Sequence, residues 1–176
     1  MFGYNQQPSI DLTLANSYFQ EGDFEKSIMY FEKLEQETSL LPEIYHYYIS
    51  ALMELEEYKK VEKLCRITLK FYPEKLAIYI DLGVMYEQLE NNKKANSYFD
   101  KPIDLIDELT SYTTVSEVGI AYERKNDLSR ALQLYQKANS LNKNNPFTYH
   151  SKMAQVLSKQ GQYQEMINLY LELMQF

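Results

Sequence analysis

Apolar residues fall along the chain in short runs at helical spacing, separated by polar turns. Leu14, Ala15 and Tyr18 lie at i, i+1 and i+4 and share one helical face. Ser27, Phe31 and Leu34 form a second such face, and the EGD of residues 21–23 stands between the two. This pattern predicts two helices joined by a tight turn. Gly22 can take the left-handed conformation that ends a helix. Asp23 can accept backbone N–H groups and start the next one. Pro8 suits the first turn of the first helix, where its missing N–H costs little.

The same arrangement returns four more times. Tyr18, Leu52, Tyr86, Tyr122 and Leu157 mark the first segment of each unit, at intervals of 34, 34, 36 and 35 residues. Phe24, Tyr58, Asn92, Leu128 and Tyr163 follow each turn and repeat those intervals. Two rulers in phase over five units predict five helical hairpins stacked along one axis. The units run over about 8–41, 42–75, 76–111, 112–146 and 147–176, with 1–7 expected as a flexible N-terminal segment. Pro42 and Pro146 begin the second and fifth units, and Pro73 closes the second.

The residue types at these positions resemble the tetratricopeptide repeat (TPR), whose pattern runs W-x2-L-G-x2-Y, then A-x3-F, then P. The third unit carries Tyr79, Leu82, Gly83 and Tyr86, then Ala95 and Phe99; the fourth carries Val118, Gly119 and Tyr122, then Ala131, Tyr135 and Ala138. The first has Leu14, Ala15, Tyr18, Ser27 and Phe31, and the fifth has Met153, Ala154, Leu157, Met166 and Tyr170. The second, with Tyr48, Ile49, Leu52, Val61, Cys65 and Thr68, follows the pattern least well. The resemblance extends from about Pro8 to Phe176. It implies an all-α fold, a right-handed α-α superhelix (solenoid) of about five hairpins, and a concave wall built by the first helix of each unit. It also implies a non-catalytic scaffold for protein–protein interaction.

Three local expectations follow. Gly83, Gly119, Ala15 and Ala154 should let each first helix approach Ala95, Ala131 and Ser27 on the second helices. Ile49 and Val61 should hold the second hairpin further apart. Pro102, near the end of the third unit's second helix, should kink that helix or end it early.

Composition narrows the function. A net charge of −7 argues against a broad nucleic-acid surface, which needs clustered Lys and Arg. No apolar run is long enough to insert in a membrane, and residues 1–9 hold no basic segment leading into an apolar one. The compartment stays open: cytoplasmic by default, exported if a leader peptide preceded Met1. Cys65, the single cysteine, sits where other units place Phe31, Phe99, Tyr135 and Tyr170, and reads as a packing residue. His46 and His150 belong to units two and five, too far apart to share a metal ion. Phosphate-loop, HExxH and CxxC motifs are absent. No catalytic residue, metal or cofactor is expected, and Glu54, Glu56 and Glu57 read as a solvated helix end.

Helical phase places Asn16, His46, Tyr47, Ile80, Asp81, Glu87, Glu117 and Arg124 on the concave wall. Tyr45, Tyr48, Tyr79, Tyr86 and Tyr122 fall on core positions instead. The middle of the wall is acidic with apolar patches, which predicts a protein or peptide partner carrying Lys or Arg, with Tyr47 and Ile80 as apolar contacts. One TPR subgroup grips chaperone tails with a carboxylate clamp of Lys, Asn and Arg. The corresponding positions here hold Leu12, Asn16, Tyr47, Ala77 and Asp81, and only Asn16 matches. Ile167, Leu171 and Met174 form an apolar face on the last helix. That face supports an alternative reading, a structural or oligomerising segment of a larger, exported bacterial TPR protein. RNA-binding helical repeats share the unit length but not the acidic charge.

Overall fold

Ten α-helices and one 3-10 turn make up the regular structure of the described residues, 7–107, 109–145 and 147–174 of the computed structural model. The helices are α1 (Gln7–Glu21), α2 (Phe24–Leu34), α3 (Leu41–Glu54), α4 (Tyr58–Phe71) and α5 (Ile78–Gln88). They continue with α6 (Asn92–Leu105), α7 (Tyr112–Arg124), α8 (Leu128–Leu141), α9 (His150–Lys159) and α10 (Tyr163–Leu173). No strand occurs among the described residues. The segment expected to be flexible, 1–7, lies outside the described residues except for Gln7, and so does Pro146.

One turn geometry is used five times. Gly22, Glu56, Glu90, Asn126 and Gly161 all have positive φ, between 56° and 78°. The residue after each donates its backbone N–H five residues back, to the carbonyls of Tyr18, Leu52, Tyr86, Tyr122 and Leu157, at 2.8–2.9 Å. Each positive-φ residue bonds three residues back as well. This is the Schellman arrangement, which satisfies carbonyls that a helix end would leave bare. Asp23, Asn91 and Asp127 then cap the following helix, their side chains accepting from the backbone N–H of Lys26, Lys94 and Arg130 at 3.2 Å.

Each odd-numbered helix pairs with its successor in a hairpin, and hairpins stack through α2–α3, α4–α5 and α8–α9. The two glycine-bearing hairpins are locked by rings. A Cβ on Gly83 would lie 2.3 Å from the Phe99 ring, and one on Gly119 would lie 3.0 Å from the Tyr135 ring. The aromatic of the second helix, rather than Ala95 or Ala131, is therefore the group nearest each glycine. In the first hairpin the approach is sealed differently: buried Ser27 donates its hydroxyl to the Ala15 carbonyl at 2.9 Å. Helices α3 and α4 pack less closely than α1–α2, α5–α6 or α7–α8, as Ile49 and Val61 predict.

The tyrosines find their role in the same packing. Tyr48, Tyr86 and Tyr135 bury their rings and pass their hydroxyls to Glu35, Glu62 and Glu123 at 3.1, 2.9 and 2.8 Å. Tyr122 does the same to the Phe99 carbonyl. A ring fills the core while its hydroxyl meets an acceptor near the surface. Tyr79, expected in the core, is only half-buried, because it stacks on Tyr98 at the edge of the third unit.

Pro102 does not end its helix early. Helix α6 has 14 residues, as do α4 and α8, and continues to Leu105 with Pro102 buried inside it. Because Pro102 sits in the last turn, the helix gives up a single backbone bond there and still closes with Ile106 N–H on the Pro102 carbonyl. The irregularity appears one step later: α6 and α7 hardly touch, unlike the other neighbouring helices that join hairpins.

Gly83→Ala should therefore lower stability by about 2 kcal/mol or more, although alanine ordinarily favours a helix by about 1 kcal/mol. The looser Gly119→Ala should lose less. Urea denaturation of both variants checks the order, and Phe99→Leu should recover part of the Gly83→Ala loss.

Candidate functional site

The odd-numbered helices α1, α3, α5 and α7 follow one another in contact and form a continuous wall. Between α3, α5 and α7 that wall opens into a cavity of about 350 Å³. Its floor is apolar: Ile49, Ile80 and Ala121 are buried, and Met53 and Val84 are half-buried. Its rim is polar, with Ser50 and Glu54 from α3, Glu87 and Gln88 from α5, and Lys125 just past α7.

Three charged or titratable groups from three helices meet at the centre. The Arg124 guanidinium lies 3.7 Å from Asp81 Oδ1 and also reaches the His46 ring. Asp81 Oδ2 is buried with no hydrogen-bond partner among the described residues. Burial pushes the Asp81 carboxyl up to about 6, against the opposing pull of Arg124. Burial, aided by the neighbouring Arg124 charge, pushes His46 down to about 4. At neutral pH His46 is thus an uncharged imidazole offering Arg124 a nitrogen lone pair.

The acidity expected of the wall is cancelled locally. Arg124 faces Asp81, Lys125 faces Glu87 at 3.4 Å, and Lys75 bridges both oxygens of Glu117 at 3.0 Å. Burial alone would raise the Glu123 carboxyl, but bonds from Lys159 at 2.5 Å and from Tyr135 hold it below the usual range. Lys75 lies in the α4–α5 connection and Lys125 beyond α7, positions that helical phase does not assign to the wall. These pairs offset part of the acidity on which the expectation of a basic partner rested.

Five of the eight expected groove residues, His46, Ile80, Asp81, Glu87 and Arg124, line the cavity. Ile80 is 1% exposed and forms part of the floor. Tyr47 stands beside the cavity, 38% exposed, its ring 5.3 Å from His46 and 5.2 Å from Phe19. Asn16 lies on α1, away from the cavity, with its side-chain oxygen buried and without a partner among the described residues. Glu117 is held by Lys75 outside the cavity. Sequence reasoning missed Ile49, Met53, Gln88, Ala121 and Lys125. Ile49 had been assigned to the hairpin seam, and it serves both surfaces.

Cys65 is fully buried, and burial pushes its thiol well up, as befits a packing residue. No group of three or more metal-ligating side chains is placed to hold an ion among the described residues. No described helix is long and apolar enough to cross a membrane.

The family described as "Tetratricopeptide repeat" matches residues 12–36, the first hairpin. The remaining hairpins repeat its turn and its spacing. The first hairpin is thus similar to a tetratricopeptide repeat, and the fold is that of a TPR solenoid. Solved structures agree on the TPR fold. A MamA crystal structure aligns over 94% of the chain and 88% of its own length at 14% identity, TM-score 0.50. Another MamA structure aligns over 80% and 81% at 20% identity, TM-score 0.51. Cut9, in its APC/C hetero-tetramer with Hcn1, aligns over 95% of this chain at 17% identity, TM-score 0.52, and the match spans 33% of Cut9. A search of the curated proteins finds no match to the chain.

The central triad yields a pH prediction. The raised carboxyl of Asp81 favours folding below its ordinary value of 3.8, and that contribution disappears as pH rises through about 6. The depressed His46 favours folding above its ordinary 6.5, and that contribution disappears as pH falls through about 4. The two slopes oppose each other between those limits and flatten the profile. Asp81→Asn removes the first slope only. Its melting temperature should fall on acidification from pH 6.5 to 4 by roughly 3–6 °C more than that of the unmodified protein. Parallel profiles for the two proteins would refute the assignment.

Proposed function

We propose that this TPR chain is a non-catalytic scaffold that holds a segment of another protein along the wall of first helices, centred on the α3–α5–α7 cavity. The observation that carries this reading is the cavity itself: an apolar floor, a polar rim whose Glu87 and Lys125 pair with each other, and Tyr47 exposed beside it. Such a surface suits an amphipathic segment. One apolar side chain enters the pit, while backbone or polar groups of the ligand meet Ser50, Glu54 and Gln88. Charge pairing along the rim removes the need for a strongly basic ligand. Cut9, of similar fold, is found in a hetero-tetramer with another protein, which agrees with a scaffold role.

A photo-crosslinking amino acid at Tyr47 is expected to trap a partner polypeptide in cells that express the protein. The same label at Gln136, on α8, should not trap that partner. Ser50→Trp, which fills the cavity, should reduce the Tyr47 crosslink at least about tenfold, as expected when a central pocket is blocked. Equal trapping at both positions, or no loss with Ser50→Trp, overturns the reading.

The last helix favours a second reading, self-association. Tyr163, Ile167, Tyr170, Leu171 and Met174 are 60, 45, 45, 51 and 81% exposed, an apolar concentration with no equal on the other described helices. Sedimentation velocity at rising concentration should reveal a dimer that Ile167→Glu/Leu171→Glu abolishes. A monomer at every concentration counts against this face as a contact.

A further inference from the structure

The cations that the groove leaves unused gather on the opposite side of the second and third hairpins. Helix α4 carries Lys59, Lys60, Lys63, Arg66 and Lys70 against the single acid Glu62. Two of these bases are engaged by the preceding hairpin: Lys60 with Glu32 at 3.1 Å, and Lys63 with Glu35 at 3.6 Å. Arg66 and Lys70, one turn apart on α4, face Lys101 of α6 across a second cavity of about 350 Å³. No carboxylate among the described residues pairs with any of these three. Glu62, the one acid in the lining, accepts the Tyr86 hydroxyl at 2.9 Å, and the three bases outnumber it.

The remaining walls are apolar and aromatic: Leu69, Leu82, Tyr79 and Tyr98. Tyr98 is sandwiched between Tyr86, 5.4 Å away and 2° from parallel, and Tyr79, 6.5 Å away. Lys94 lies over Tyr86 at 4.5 Å and Lys101 over Tyr79 at 4.7 Å. The stack therefore runs Lys94–Tyr86–Tyr98–Tyr79–Lys101, with tyrosine faces covered by neighbouring rings and lysines. It holds Lys101 in place by cation–π attraction while leaving its charge uncompensated by any acid.

We propose that this α4–α6 groove is a second docking surface, for an acidic segment of a partner protein. Arg66, Lys70 and Lys101 meet two or more Asp or Glu side chains, and Leu69 and Leu82 receive an apolar residue between them. Charge complementarity selects the occupant. In a chain of net charge −7 this groove concentrates positive charge, and acids more than about 10 Å away are screened at physiological salt. A single-stranded nucleic acid fits less well, because it needs free aromatic faces for its bases, and the stack covers the faces of these tyrosines. Both grooves can be occupied at once, since this one uses α4 and α6 and the first uses α3, α5 and α7.

The test titrates isotope-labelled protein with an acetylated peptide of alternating Glu and Leu. A Lys–Leu peptide and oligothymidine serve as comparison probes. Amide shifts are expected at Arg66, Lys70 and Lys101 with the Glu–Leu peptide alone, and weaker at higher salt. Arg66→Glu/Lys70→Glu should weaken binding at least about tenfold, while Lys137→Glu/Lys143→Glu, with the same change in net charge, should stay within about twofold. Both doubles alter exposed side chains, and unchanged circular dichroism confirms that they fold. Four results overturn the proposal: no shifts at the three residues, equal shifts with the Lys–Leu peptide, equal weakening by both doubles, or tighter binding of oligothymidine in this groove.

Discussion

The fold depends on reversing the chain within two or three residues, five times, at the same point of each unit. A helix that ends leaves four carbonyls unsatisfied, and a residue at positive φ lets the next backbone N–H groups fold back onto them while the chain reverses. Gly22, Glu56, Glu90, Asn126 and Gly161 supply that residue at the spacing of the repeat. The reversal fixes where each second helix begins, and hence which face it turns to the first. Three of the five turns use a residue with a Cβ, at a backbone expense of roughly 1–2 kcal/mol each. That expense is tolerable because the same turn satisfies two carbonyls and sets the register of a whole hairpin.

Register then decides what sits in the seam. In the third and fourth hairpins a glycine faces a ring; in the first, Ala15 faces Ser27 and a hydroxyl bond closes the gap. The second hairpin has Ile49 and Val61 there and spreads. The cavity floor lies at that hairpin, since Ile49 lines both the seam and the pit between α3, α5 and α7. The weakest match to the repeat pattern and the floor of the cavity thus meet at one residue, Ile49.

The architecture was largely legible because it rests on short-range periodicity. Helix placement, the glycine turns, the Asp23 cap and the burial of Cys65 all follow from spacing and local chemistry. The non-glycine turns were not legible, since nothing in Glu56 or Glu90 marks positive φ; position in the repeat does. The site was half legible. Helical phase placed His46, Asp81, Glu87 and Arg124 on one surface, but phase says nothing of residues beyond a helix end. Lys75 and Lys125 pair with wall acids from such places, so the wall is less acidic than phase alone implied. Pro102 misled for a similar reason: its effect depends on its distance from the helix end, which sequence gives only to within a turn.

Charge is distributed by the same geometry. Wall acids on α5 and α7 find bases on the next hairpin or on the connection before, so ion pairs span units and tie neighbouring hairpins together. Tyrosine hydroxyls take up three further carboxylates, those of Glu35, Glu62 and Glu123. Such a carboxylate keeps its charge and its second oxygen, and Glu35 and Glu123 use theirs to pair with Lys63 and Lys159 as well. An acidic chain thus carries a basic groove because its ion pairs between hairpins reach Lys60 and Lys63 but not Arg66, Lys70 or Lys101.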